Sequence, residues 1–173
     1  VAPPGRPAPS GRAGGPPLLV SGRKPPAMRR AARLGDGWMP YLVSPDAYAR
    51  SVQTIRAEAE RVGRDLTGFE WALFTYCSIR GDGDRARDDV ARFLGRAYGD
   101  KPAAMLERIA PAGTPDAVVP RFQEYVDAGV RHFVISPAAP ADTLEVVTLA
   151  AEGVLPRLTL PVRRCRTSAR RVW

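Results

Sequence analysis

The chain has 173 residues, 45% of them hydrophobic and 25% charged, enough length and apolar content for one soluble domain with its own core. The formal net charge of +8 looks like a nucleic-acid signal, but twelve basic and no acidic side chains fall in residues 1–33 and 161–173, leaving residues 34–160 with 14 of the 26 Lys and Arg, all 18 Asp and Glu, and a net charge of −4. A folded cationic face of the kind that binds nucleic acid is therefore not expected.

One histidine and two cysteines, Cys77 and Cys165, argue against a His-rich metal centre, a Ser-His-Asp triad and a disulfide scaffold. No apolar run reaches the length that spans a bilayer, and the N-terminus lacks the hydrophobic region of a signal peptide. The expected location is the cytoplasm, with no membrane partner. Val at position 1 in place of Met leads to the expectation of a start further upstream.

In chain order, residues 1–16 are Pro/Gly-rich and read as a linker or extended loop. Residues 17–20, "PLLV", form a short buried strand. Residues 26–34 form a helix, with Pro26 in its first turn and Gly35 as its stop. "DGWMPYLV" (36–43) is a second strand. Ser44-Pro45-Asp46 is an N-cap signature that opens a helix to about Val62, with Tyr48, Val52, Ile55 and Ala59 on one face. An aromatic-rich strand covers 69–79 and ends in the turn "GDGD". The acid-rich run beginning there lacks calcium-loop spacing. Helices follow at about 85–98 and 103–109. Thr114-Pro115-Asp116 repeats the cap signature before a helix that stops at Gly129. A fourth strand (130–136) and a helix (142–153) complete the folded body, and the basic tail 161–173 is expected to be disordered. The strand-helix alternation predicts parallel strands with helical crossovers, in about four βα units. No G-x-G-x-x-G follows the first strand, so the dinucleotide fingerprint is absent.

"LLVSGRKPPAMRRAARLGDGWMP", "AGTPDAVVPRFQEYVDAGVRHFVIS" and "EGVLPRL" resemble the luciferase-like monooxygenase family. The resemblance implies an α/β fold, the C-terminal half of a (β/α)8 TIM barrel over residues 17–160, hence an incomplete barrel. It also implies oxidoreductase or monooxygenase chemistry with a flavin: either FMN or the deazaflavin coenzyme F420, with a lean toward the deazaflavin. A small organic substrate would be the other partner.

In a parallel α/β unit the strand's C-terminal end meets the next helix N-terminus, a natural anion site. Ser21, Gly22, Arg23 and Lys24 stand there. The resemblance likewise puts a flavin phosphate on this turn, with Lys24 standing where many relatives have a capping Ser or Thr. Met39, Tyr41, Tyr76, Ser78 and Ser136 fall near strand ends, where barrel enzymes keep their chemistry, and are the candidate substrate contacts. Trp38 reads as core packing, Cys77 as a small buried hydrophobe and His132 as structural. No residue stands out as a catalytic acid or base. Two readings follow: an enzyme or enzyme fragment inactive alone, or a non-catalytic half-barrel. In the second, open edges call for a missing N-terminal half or for self-association into a homo-oligomer.

Overall fold

In the computed structural model the described residues are 15–99 and 103–160. Most of the expected linker, the whole basic tail and Cys165 lie outside them. The strand β1 (Leu19–Val20) leads through a turn into α1 (Pro25–Leu34). Prolines at its first two positions preset φ for the helix. Its buried side is Ala27, Met28, Ala31 and Ala32, mostly small side chains that let it lie close to its neighbours. Next comes β2 (Gly37–Trp38), then α2 (Pro45–Arg61). Ser44 caps α2 by accepting from the Ala47 amide at 3.4 Å, and Tyr48, Val52, Ile55 and Ala59 form the buried stripe at helical spacing.

The long strand β3 (Glu70–Ile79) is followed by α3 (Gly83–Tyr98), whose N-cap Asp82 accepts from the Asp84 and Arg85 amides. Then come α4 (Ala103–Ile109), β4 (Ala112–Gly113), α5 (Pro115–Asp127, capped by Thr114) and β5 (His132–Pro137). The expected last helix is divided: a 3-10 turn (Pro140–Asp142), α6 (Thr143–Leu149), a wider π turn (Ala150–Val154) and a 3-10 turn (Leu155–Arg157). Gly153 is a poor helix former and Pro156 has no amide to continue the ladder.

All strand pairs are parallel. β1 pairs with β2 and β2 with β3, while β5 lies along β3 in register from Ala72↔His132 to Cys77↔Pro137. Even-numbered amides of β3 face the β2 edge: Glu70 donates to Asp36 and Phe74 to Pro40. Further along the same edge Ser78 donates to Pro111 and Arg80 to Gly113, so β4 occupies the edge where β2 has ended.

This corrects the expected fold class. The sheet has five strands rather than four. It runs with its flanking helices through nearly the whole described chain as a partial barrel, so it is not confined to a C-terminal half. Two residues, Ala112 and Gly113, are too few to show strand periodicity in sequence.

Leu73, Cys77 and Ile79 face the helices α1, α2, α5 and α6 in two apolar clusters. The first holds Trp38, Tyr48 and Tyr125, all fully buried. Phe74 and Tyr76 alternate to the other sheet face, where α3 and α4 bring Phe93, Leu94 and Leu106 over the C-terminal strand ends. Gly37 is where β2 squeezes between its neighbours: an added Cβ would lie 2.5 Å from Leu19 Cδ2 and 2.6 Å from the Glu70 carbonyl oxygen. Among the described residues no helix is long and apolar enough to cross a membrane.

Candidate functional site

The turn from β1 into α1 depends on Gly22. Its φ is +118°, and a Cβ there would sit 2.7 Å from Ala27 Cβ, so a side chain is excluded twice over. The Gly22 carbonyl accepts the indole N–H of buried Trp38 at 2.9 Å. The packing residue Trp38 therefore also fixes the turn.

α1 offers this turn less than a helix N-terminus normally does. Pro25 and Pro26 have no amide hydrogens, and the Ala27 and Met28 amides both donate to the Lys24 carbonyl, at 2.9 and 3.3 Å. Lys24 is the N-cap residue and makes no side-chain cap. The first turn of α1 thus offers an anion no free amide, and the cations nearest this turn are Arg23 and Lys24. Arg23 is held in place: Nη1 donates to the Leu42 carbonyl at 2.6 Å, and the guanidinium lies 5.7 Å from the Tyr41 ring centre. Leu42 has φ +50°, a strained setting for a branched side chain and one that recurs at functional sites.

A cleft of about 790 Å³ opens on this turn. Gly22, Arg23 and Lys24 form one part of its wall, Tyr41, Leu42 and Ser44 a second, and Met105 and Arg108 of α4 a third. The volume suits a drug-sized organic molecule. Among the described residues no carboxylate lines it. Of the residues singled out from sequence, Gly22, Arg23, Lys24 and Tyr41 come together here. Ser21 is exposed on the same turn and Met39 is half-buried just past β2, both outside the lining. Sequence reading missed Arg108 and Met105, since a charge or a Met on a short helix carries no sign of which strand turn it will face.

Tyr76 and Ser136 are register partners on the inner sheet face. Tyr76 packs against Phe74, Phe93 and Tyr98, and its hydroxyl lies 2.9 Å from that of Tyr98. This hydrogen bond, with burial, pushes the Tyr76 pKa up to about 12, so the phenol stays protonated at neutral pH. Tyr98 also lies 6.4 Å from Tyr41, ring to ring, and so links the cleft to the inner face. Ser78 is fully buried and donates to Asp89 at 3.2 Å. Beside it, Arg80, 3% exposed, binds Asp89 at 2.5 Å, Asp142 at 2.6 Å and Glu145 at 2.7 Å, tying the end of β3 to α3 and α6. Burial works to raise the Asp89 pKa, but the Arg80 hydrogen bond and charge outweigh it and hold the carboxyl below its ordinary range.

Burial pushes the Cys77 thiol up to about 12, which leaves it a poor nucleophile. His132 stands at the opposite end of the sheet, its Nδ1 3.3 Å from Glu70 Oε2. Among the described residues no group of metal-ligating side chains gathers. Among the described lining residues, two cations, a turn with no side chain in the way and the absence of a carboxylate suit the phosphate of a flavin.

The family model for luciferase-like monooxygenases matches residues 1–132. Among curated proteins, the 5,10-methylenetetrahydromethanopterin reductase of Methanopyrus kandleri is 23% identical over 81% of this chain and 50% of its own length. Among solved structures, an F420-dependent secondary alcohol dehydrogenase in complex with an F420-acetone adduct superposes with a TM-score of 0.69 at 18% identity, covering 83% of this chain and 49% of that one. The oxygenating constituent of 3,6-diketocamphane monooxygenase from Pseudomonas putida, in complex with FMN, gives 0.63 at 17% identity, over 83% and 49% of the two chains. The chain spans about half the length of the curated relatives it matches. The expectation of a resemblance limited to a C-terminal half is corrected by the reach of these matches, which take in residues 1–132 for the family and 82–86% of this chain for the structures.

Proposed function

The chain belongs to the luciferase-like monooxygenase family, and on that premise we propose that its cleft is the phosphate end of a flavin or deazaflavin site in an oxidoreductase acting on a small organic molecule. The supporting observation is Arg23, fixed between the Leu42 carbonyl and the Tyr41 ring, beside a Gly22 turn that Trp38 locks. Arg23 and Lys24 hold the phosphate. Tyr41 and Tyr98 carry an aromatic surface from the cleft toward Tyr76 on the inner sheet face.

The bound cofactor supplies the redox step; these residues bind it, orient it and restrict water. FMN and coenzyme F420, named with the neighbouring structures, are the two candidates. A chain half as long as its relatives supplies one wall of the ring site. Weak, salt-sensitive binding, about millimolar, and no turnover are expected from it alone. The edges of β1 and β5, unpaired among the described residues, favour self-association.

Isothermal titration with FMN and with F420 tests the reading. One of the two should bind, and Arg23→Ala/Lys24→Ala should abolish it. Binding indifferent to that double substitution would refute the site.

A further inference from the structure

We infer that the cleft is a two-point anion receptor, in which Arg108 of α4 holds a second anionic group of a ligand whose first anion rests on Arg23 and Lys24. The inference rests on the site proposed above and adds the charge pattern of its ligand. Three cations, Arg23, Lys24 and Arg108, share one concavity of about 790 Å³ that, among the described residues, no carboxylate lines. None of the three is ion-paired with a described carboxylate, as is also true of Arg29, Arg30 and Arg56 outside the cleft; what sets the three apart is that they share one concavity. Like charges gathered in a concavity repel one another and focus a positive field, which an anionic ligand relieves.

The position of Arg108 is itself fixed from behind. The Tyr125 hydroxyl donates its one hydrogen to the Val43 carbonyl at 2.7 Å and lies 3.3 Å from the Arg108 carbonyl, a shared and weaker contact. Buried Tyr125 thus ties α4 to the segment that carries Tyr41 and Leu42. The rest of the lining is mostly apolar, with Leu42, Val43, Met105 and Ile109 beside Tyr41, Ser44 and Ser51. The cleft is far larger than one phosphate. Its chemistry matches a ligand with anionic groups at two places and a less polar stretch between them.

Inorganic phosphate and tripolyphosphate, titrated calorimetrically into the full chain at low and moderate salt, test this without any flavin. Tripolyphosphate, anionic along its length, should bind at least about tenfold tighter than phosphate. Arg108→Ala should weaken tripolyphosphate about tenfold and leave phosphate within about twofold. Arg50→Ala, at an exposed side chain of α2 that does not line the cleft, should change neither. The inference is overturned if wild type shows no preference or binds neither anion. It is also overturned if Arg108→Ala weakens both anions equally, or if Arg50→Ala costs as much as Arg108→Ala. Flavin binding that fails while this anion pattern holds would sink the cofactor reading and leave the two-point receptor standing.

Discussion

Replacing Arg80 with Met keeps the length of a buried side chain and removes the one charge that three carboxylates share. Arg80 is 3% exposed and its Asp89 partner 11%, so that pair is out of water. Asp142 and Glu145, at 35% and 46%, are largely solvated and contribute little. Breaking a buried pair by deleting one partner costs about 3–5 kcal/mol, because the remaining charge is stranded. Arg92 at 3.0 Å and the Ser78 hydroxyl still serve Asp89, which places Arg80→Met near the low end, about 3 kcal/mol. Urea denaturation at neutral pH should show a lower midpoint with an unchanged slope.

The sign of the pH dependence follows from the depressed Asp89 pKa. A carboxyl whose folded pKa lies below its unfolded value of about 4 adds stability above that pH and loses it as pH falls through the folded value. The gap between wild type and Arg80→Met should therefore close under acid conditions. A neutral-pH difference below about 1 kcal/mol, or one that does not change with pH, would refute the assignment of Arg80 as the tie between β3, α3 and α6.

Trp38→Phe keeps the packing against Tyr48 but strands the Gly22 carbonyl. Stability should fall by about 1–3 kcal/mol and the anion affinity of the turn should fall with it; unchanged phosphate binding would show that the turn holds its shape unaided. Tyr98→Phe removes the hydrogen bond that raises the Tyr76 pKa, so the tyrosinate absorbance of Tyr76 should appear at lower pH than in wild type; an unmoved titration would assign the shift to burial alone.

The elements that sequence conveyed best were those with local chemistry. Ser44-Pro45 and Thr114-Pro115 cap helices within one residue of the expected start, because the cap bond and the proline φ are set by neighbours in the chain. β3 was legible from its aromatic and β-branched run. β4 was not, since two residues become a strand only by borrowing the edge of β3. In the cleft, the placement of Gly22, Arg23 and Lys24 on one turn was readable because a parallel strand must hand over to a helix there. Their environment was not. The double proline is plain in the sequence, yet the cost of "PP" in lost donors emerges only when the Ala27 and Met28 amides are seen turning to Lys24. Arg64, whose guanidinium donates to the Ala31, Ala32 and Gly35 carbonyls at the end of α1, lies too far along the chain to be recognised as its cap.

The same double proline bears on how this site can change over generations. An anion held by backbone amides is encoded redundantly, because nearly any residue supplies an N–H and drift leaves the affinity alone. Here Pro25 and Pro26 withdraw that redundancy from the helix, and on the proposed reading much of the charge falls to exposed side chains whose replacement disturbs no core. Single codon changes at Arg23, Lys24 or Arg108 can then raise, lower or relocate ligand affinity while the helix beneath stays folded. The turn would then be an adjustable address on a fixed scaffold.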